Sequence, residues 1–471
     1  MPTINFTPEM RALALSPLDG RYGARLEKLS LYFSEFALMR KRVYVELIFL
    51  EALDQTGLFP ELNERERQSL RFYKEKFDLD HYYRIKEIEQ TLNHDVKACE
   101  VFLRENLDLR YPNMIHFGLT SEDVNNLAYS LLFRDYLHKE QLPQLEKLMR
   151  TLLDMVRIWR SVPFPARTHG QMASPTTAGK EMAVYLNRLL RLHGSLKEFR
   201  FSAKLNGATG NFSAFKAAFP EFDWLAFSRD FLRQHDLEPN LITTQIEDHD
   251  SWAAYLNLSK QINNVILDLD RDIWLYLTLG YLILSADKNA VGSSTMPHKV
   301  NPINFENSEG NLQIAVALIN GLVDKLGNSR LQRDLSDSTV TRNIGVALVH
   351  GYLALLETQR GLNKLAVNEA YCRRELQKHP ELLAEPIQTV LRREGVDDPY
   401  SLLKKATRGQ KITLKELHEL IDSLNIEPQV KRYLKKLRVE TYLGDAQRIC
   451  DAVIRKAERV LGDFEKDGSM G

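Results

Sequence analysis

Reactive side chains are crowded into one stretch of the chain, Gly292 to Asn311, which reads GSSTMPHKVNPINFENSEGN. It holds adjacent hydroxyls at Ser293 and Ser294, cationic groups at His298 and Lys299, amides at Asn301 and Asn307, and a carboxylate at Glu306. Pro297 and Pro302 prevent an unbroken helix, so the stretch reads as a loop able to close over an anion. A serine hydroxyl acts as a base only where its alkoxide is stabilised by donors and positive charge in a water-poor pocket. Lys299 and its neighbours supply both. Taken alone, a glycine followed by two serines is equally a flexible polar turn or a helix N-cap.

Three further polar clusters break the apolar pattern: Asn93-His94-Asp95, His116 to Asp123, and Arg167-Thr168-His169-Gly170-Gln171. Each holds a histidine, the side chain that exchanges protons most readily near neutral pH. Any one of them also reads as a capping or turn histidine, and their number is what points to a shared site. Zinc chemistry lacks its spacing, since neither HExxH nor CxxC occurs. No metal is therefore expected. The phosphate-loop patterns GxxxxGK[ST] and GxGxxG and the hydrolase elbow GxSxG are absent as well.

These residues need rigid elements to hold them, and the apolar periodicity supplies long helices. Between Pro143 and Pro163 the residues Leu145, Leu148, Leu152, Met155, Val156 and Trp159 repeat at three and four, which predicts one amphipathic helix ended by proline. Similar patterns predict helices over 176–203, 250–285, 305–326 and 341–365, long enough for an elongated bundle. The apolar run Ile273 to Ser285 is shorter than the roughly 20 residues that span a bilayer, and it reads as a buried core helix. β-branched alternation is nearly missing, with Gly207 to Asn211 the one expected hairpin turn. The expectation is an all-α chain of three helical domains, 1–113, 114–365 and 366–471, the middle one a long-helix bundle carrying the Ser293 loop.

A chain of 471 residues has ample length to bury a core, and 63 Lys plus Arg balance 63 Asp plus Glu. That balance removes the electrostatic case for a nucleic-acid or membrane partner. Cys99, Cys372 and Cys450 are few and unpaired in spacing, and the first residues lack the pattern of a secretory signal. Both fit a reducing, cytoplasmic location. The polar tail GDFEKDGSMG is expected to fray.

Gly292 to Pro302 matches without a gap the pattern GSSxMPxKxNP of the aspartase/fumarase superfamily, which the chain resembles. His298, Thr168-His169-Gly170, Asn93-His94-Asp95 and Thr120-Ser121 resemble its adenylosuccinate-cleaving branch, in the bacterial form. The similarity runs from Ser16–Tyr22 to Leu383–Gln388. It implies a homotetramer whose central helices join across subunits, with each active site built from three of them. It also implies release of fumarate from adenylosuccinate, giving AMP, and from succinylaminoimidazole carboxamide ribotide (SAICAR), giving AICAR. No cofactor is implied. By the same resemblance Ser293 is the base and His169 the acid, with His94, Lys299 and Glu306 in the catalytic set and Glu306 orienting a catalytic histidine. Lys299 and Asn301 hold the carboxylate on which charge develops. Arg21, Tyr22, Arg333, Ser338 and Arg342 resemble phosphate ligands, as guanidinium forks suit phosphate oxygens. Thr339, Val340 and Thr341 lie among them. Asn93, His94, Asp95, Thr120, Ser121 and Gln245 resemble contacts to base, ribose and succinyl group, and Ser294 and Asn307 complete the substrate set. A non-catalytic reuse of such a helical scaffold has no need of the acid and base residues.

Overall fold

The structure, a computed structural model, describes residues 7–285, 300–407 and 412–462. Its backbone is mainly helical, and among the described residues β-structure is confined to three two-stranded pairs, so the expected all-α class holds. Packing gathers the chain into two compact units that alternate along the sequence. The first comprises Met1–Gln144, His193–Asn264 and Gly310–Ala354, the second Leu145–Leu192, Val265–Glu309 and Leu355–Gly471.

In the first unit, α1 (Glu35–Gln55) is buried over most of its circumference, as a core helix should be. Ser34 caps it, its Oγ accepting from Ala37 N at 3.1 Å. Three charged residues, Arg42, Glu46 and Asp54, are buried with the apolar ones, which marks them for a purpose other than packing. The helices α2 (Leu79–Leu92), α3 (Asp95–Asn106) and α4 (Ser121–Tyr136) follow. The helix predicted to start at Pro143 is instead the continuation of α4. A π-helical segment, Leu137–Gln141, leads straight into α5 (Leu142–Trp159). The wider π turn lets the chain pass Pro143, which has no N–H to donate, without breaking.

In the second unit β1 (Pro163–Thr168) pairs antiparallel with β2 (Gln171–Thr177). His169 (φ 52°) and Gly170 (φ 74°) form the two-residue turn between them, the positive-φ pair typical of a type I′ hairpin. The register shifts between Phe164 and Ala166, where β2 holds one extra residue. The helix α6 (Ala178–Lys197) starts two residues later than expected. The hairpin predicted at 207–211 does not form. β3 (Ser202–Ala203) pairs in parallel with the distant β4 (Glu238–Pro239), because the Asp123 carboxylate takes the N–H groups of Asn206 and Gly207, at 3.0 and 3.1 Å, that a hairpin would have used.

The helix predicted over 250–285 is also shorter. α7 (Asp250–Thr278) ends where Gly280 takes a left-handed conformation (φ 76°). Tyr281 N then donates to Tyr276 O and Gly280 N to Leu277 O, at 2.9 and 3.1 Å, closing the helix as a Schellman motif. The rest of the apolar run becomes β5 (Leu282–Leu284), which pairs antiparallel with the segment Leu365–Val367. α8 (Ile303–Leu326) matches its expected span closely. The helix predicted from Thr341 is split at Arg342 and Asn343 into α9 (Ser336–Thr341) and α10 (Ile344–Leu362).

Both units bury polar groups on their long helices. In the first, His350 Nδ1 and Asn311 Oδ1 lie 2.8 Å apart. In the second, Thr358 Oγ1 donates to the Asp270 carboxylate at 3.0 Å. Burial pushes the Asp270 carboxyl well above its usual pKa, against the hydrogen bonds from Ser308 and Thr358. Cys99, Cys372 and Cys450 are all buried, and no described helix is long and apolar enough to cross a membrane.

Replacing Gly280 by valine forces a β-branched side chain into the left-handed region. The expected cost is about 1–2 kcal/mol, read as a lower urea midpoint with the m-value unchanged.

Candidate active site

Most of the residues singled out by sequence stand at helix ends of the first unit. Asn93 terminates α2 in a left-handed conformation (φ 52°), and its N–H donates to Glu89 O at 2.7 Å. His94 then caps α3, its Nδ1 accepting from Lys97 N at 3.1 Å. That bond places the proton of the neutral ring on Nε2. Nε2 has no partner among the described residues, so it faces outward as a donor.

Asp95 opens α3, and its Oδ2 lies 2.9 Å from Arg42 Nη1 and 3.6 Å from Arg342 Nη2. Burial works to raise the Asp95 pKa, but the Arg42 and Arg342 charges with the Val96 N–H outweigh it and hold it below 3.8. Asp95 is thus a fixed anion. Arg342 stands at the break between α9 and α10, and its Nη1 donates to Ser338 Oγ at 2.6 Å and to Ser338 O at 2.9 Å. Its side chain is 42% exposed, beside Asp95 rather than enclosed by it. Thr341 is buried and Thr339 exposed, with Val340 between. Their side chains are placed by one turn of helix, Thr341 Oγ1 donating to Ser338 O at 3.2 Å.

A second group surrounds the start of α4. Thr120 N donates to Asp123 Oδ2 at 2.9 Å, and Ser121 is the first helical residue. Glu122 Oε1 pairs with Arg333 Nη2 at 2.9 Å, and Arg333 Nη1 reaches Gln245 Oε1 at 3.5 Å. The two groups meet at a cavity of about 20 Å³ bounded by Arg42, Glu122, His249, Asp337, Ser338 and Thr341. That is room for a single water. A larger cavity of about 210 Å³ is lined by Asp19, Gly23 and Arg342. Its first two residues bracket Arg21 and Tyr22, whose guanidinium and ring stack at 5.9 Å. The structure therefore brings the Arg21, His94, Gln245, Arg333 and Arg342 segments into one unit.

The remaining candidates belong to the second unit. His169 is exposed at the tip of the β1–β2 hairpin, and its ring has no hydrogen-bond partner among the described residues. Arg167 braces the turn from below, Nη1 donating to Gly170 O at 2.9 Å and Nε and Nη2 to Tyr281 Oη at 3.1 and 2.9 Å. Glu306 and Asn307 lie in the first turns of α8, and Asn301 just before it. Glu306 Oε1 accepts from the Trp274 indole at 3.2 Å, so among the described residues its partner is a tryptophan. Ser293, Ser294 and Lys299 lie outside the described residues.

Sequence reasoning left out the buried ions behind these groups. Arg42 carries a signal of its own kind, a lone cation on the buried face of α1. His116, in one of the polar clusters, sits 2.6 Å from Glu46 of the same helix. Burial lowers its pKa, and the charge and hydrogen bond of Glu46 together with the charges of Glu100 and Asp123 outweigh it for a net rise. Among the described residues no three His, Cys, Asp or Glu side chains converge as metal ligands do.

A family model described as "Lyase" matches residues 20–316, and one described as "Adenylosuccinate lyase C-terminal" matches residues 329–443. Two solved structures share the fold at low identity. They are the 3-carboxy-cis,cis-muconate lactonizing enzyme of Pseudomonas putida (TM-score 0.74, 21% identity, 92% of this chain and 97% of that one) and a fumarate lyase of Mesorhizobium sp. BNC1 (TM-score 0.73, 19%, 93% and 98%). The helical fold and the first family match define the chain as a lyase.

Curated relatives narrow the class. The chain is 43% identical over 446 residues to the adenylosuccinate lyase of Haemophilus influenzae, covering 93% of this chain and 98% of that protein. It is 43% identical over 450 residues to that of Dictyostelium discoideum (92% and 96%) and 40% over 447 residues to that of Escherichia coli K12 (93% and 98%). The chain belongs to the adenylosuccinate lyase family.

Removing the cation behind Asp95 strands a partly buried carboxylate. Arg42→Met is expected to lose about 3 kcal/mol of unfolding free energy at neutral pH. Because the native Asp95 pKa is depressed, the stability it contributes is present above 3.8 and is lost as pH falls through the native value. Urea midpoints measured across that range should show the gap between wild type and variant narrowing in acid.

Proposed function

We propose that this chain cleaves adenylosuccinate to AMP and fumarate, and SAICAR to AICAR and fumarate, in purine nucleotide synthesis. The supporting observation is the 40–43% identity to adenylosuccinate lyases over more than nine-tenths of the chain. The clustered guanidinium and hydroxyl groups of Arg333, Ser338 and Arg342 fit a phosphorylated substrate.

The reaction is an elimination. Ser293 Oγ, as alkoxide, takes the proton from the carbon next to the succinyl carboxylate. The electron pair left behind is held on that carboxylate as an aci-carboxylate, which Lys299 and Asn301 stabilise by charge and hydrogen bonding. Collapse of that intermediate forms the carbon–carbon double bond of fumarate and breaks the carbon–nitrogen bond. His169 delivers its ring proton to the departing nitrogen. The net proton count is unchanged, and no cofactor takes part. In this scheme Arg21, Tyr22, Arg333, Ser338 and Arg342 hold the phosphate, while Asn93, His94, Asp95, Thr120, Ser121 and Gln245 hold base, ribose and succinyl group. Ser294, Glu306 and Asn307 complete the pocket.

His169 stands on an exposed, braced turn with no partner of its own, an arrangement suited to reaching into a site completed by another copy. We propose accordingly a cytoplasmic homotetramer of three-domain subunits, divided near residues 113 and 365, with active sites shared between subunits.

Purified protein should release fumarate from both substrates. Ser293→Ala and His169→Ala should each lower kcat by about 10²–10⁴-fold with smaller changes in KM. Near-normal turnover in either variant removes that residue from the mechanism. If the sites are shared, mixing the two inactive variants under conditions that exchange subunits should restore part of the activity.

A further inference from the structure

Two consecutive acids in the first turn of α4, Glu122 and Asp123, each hold a cation from a distant segment, and both cations converge on Gln245. Arg333 bridges Glu122 and the Gln245 side-chain oxygen. Lys204 Nζ lies 3.1 Å from Asp123 Oδ1 and donates to Gln245 O at 2.6 Å and Gly207 O at 3.0 Å. Gln245 Nε2 donates in turn to Ala208 O at 3.1 Å. The amide group is thereby oriented, its oxygen toward Arg333 and one N–H still available.

The side chains of Lys204 and Asp123 are both 0% exposed, so neither charge is offset by water. Their remaining capacity is filled by backbone. Asp123 accepts from Thr120 N at 2.9 Å, Asn206 N at 3.0 Å and Gly207 N at 3.1 Å. One carboxylate therefore fixes the Thr120–Ser121 turn and the 206–207 turn, and one ammonium ties the latter to Gln245. No ladder does this instead, because residues 241–249 carry no helix or strand. A buried ion pair is a weak source of stability, since apolar replacements of the same shape are often neutral or better. What it does supply is direction and distance.

We propose that Lys204 is a positioning residue of the substrate pocket: clamped by Asp123, its ammonium sets the separation between Thr120–Ser121 and Gln245, and so the affinity for the succinylated nucleotide. This rests on the assignment of those three residues as substrate contacts.

The test compares steady-state kinetics on adenylosuccinate for the full-length wild type, Lys204→Met, Asp123→Asn/Lys204→Met, Gln245→Ala and Lys204→Met/Gln245→Ala. Lys204→Met should raise KM roughly tenfold or more with a much smaller change in kcat. Adding it to Gln245→Ala should raise KM little further, because both changes remove the same contact. A merely structural role instead lowers the folded fraction and apparent kcat while KM stays at the wild-type value. Unchanged KM in the folded variant, or KM effects that multiply independently, overturns the proposal. If Lys204→Met does not fold, the charge-neutral double replacement carries the same comparison. Failure of both to fold assigns the pair to stability and also overturns it. A wild type that does not turn over adenylosuccinate counts against the proposed function and is distinguishable from all of these.

Discussion

The first backbone N–H groups of an α-helix find no carbonyl within the helix, and side chains at the helix start must accept from them. The described part of the pocket is built from the residues that meet this requirement. His94 accepts from Lys97 N to cap α3, and Asp123 accepts from Thr120 N at the start of α4. Asp334 accepts from Ser336 N ahead of α9. Because each helix end is anchored in a packed unit, the polar groups gathered there inherit its rigidity. The candidate residues thus stand at interruptions of the helices, while the helix interiors supply the frame.

Acids at helix starts also sit in the favourable end of the helix dipole, and here they recruit cations from far along the chain. Asp95 takes Arg42, Glu122 takes Arg333 and Asp123 takes Lys204. The overall balance of 63 against 63 charges conceals this local matching. Arg342 is the exception, because its side chain is 42% exposed and stands 3.6 Å from an acid already paired with Arg42.

Long helices were legible in the sequence wherever apolar residues recur at three and four, as in α8. The run Ile273 to Ser285 was not, because a short apolar stretch is compatible with helix or strand, and only the conformation of Gly280 decides between them. The β1–β2 hairpin was hidden for a different reason. Pro163, Pro165 and Pro175 replace the β-branched alternation that betrays a strand. At the site, residue types in local clusters were readable, whereas Arg42 and Lys204 were not. Each acts on a partner 53 or 81 positions away, and nothing local distinguishes a buried lysine from a solvated one.

The single extra residue in β2 beside Phe164 has a geometric consequence for the imidazole at the far end of that hairpin. Facing alternates from one strand residue to the next, so one residue more or less between base and tip interchanges the two surfaces of the outer half. The bearing of the His169 ring is consequently set near the root of the hairpin, several residues from the ring. Lengthening both arms by two residues would carry the ring about 7 Å farther without turning it, whereas a one-residue change would rotate it away. Inheritance of that loop is therefore constrained in parity as well as in length.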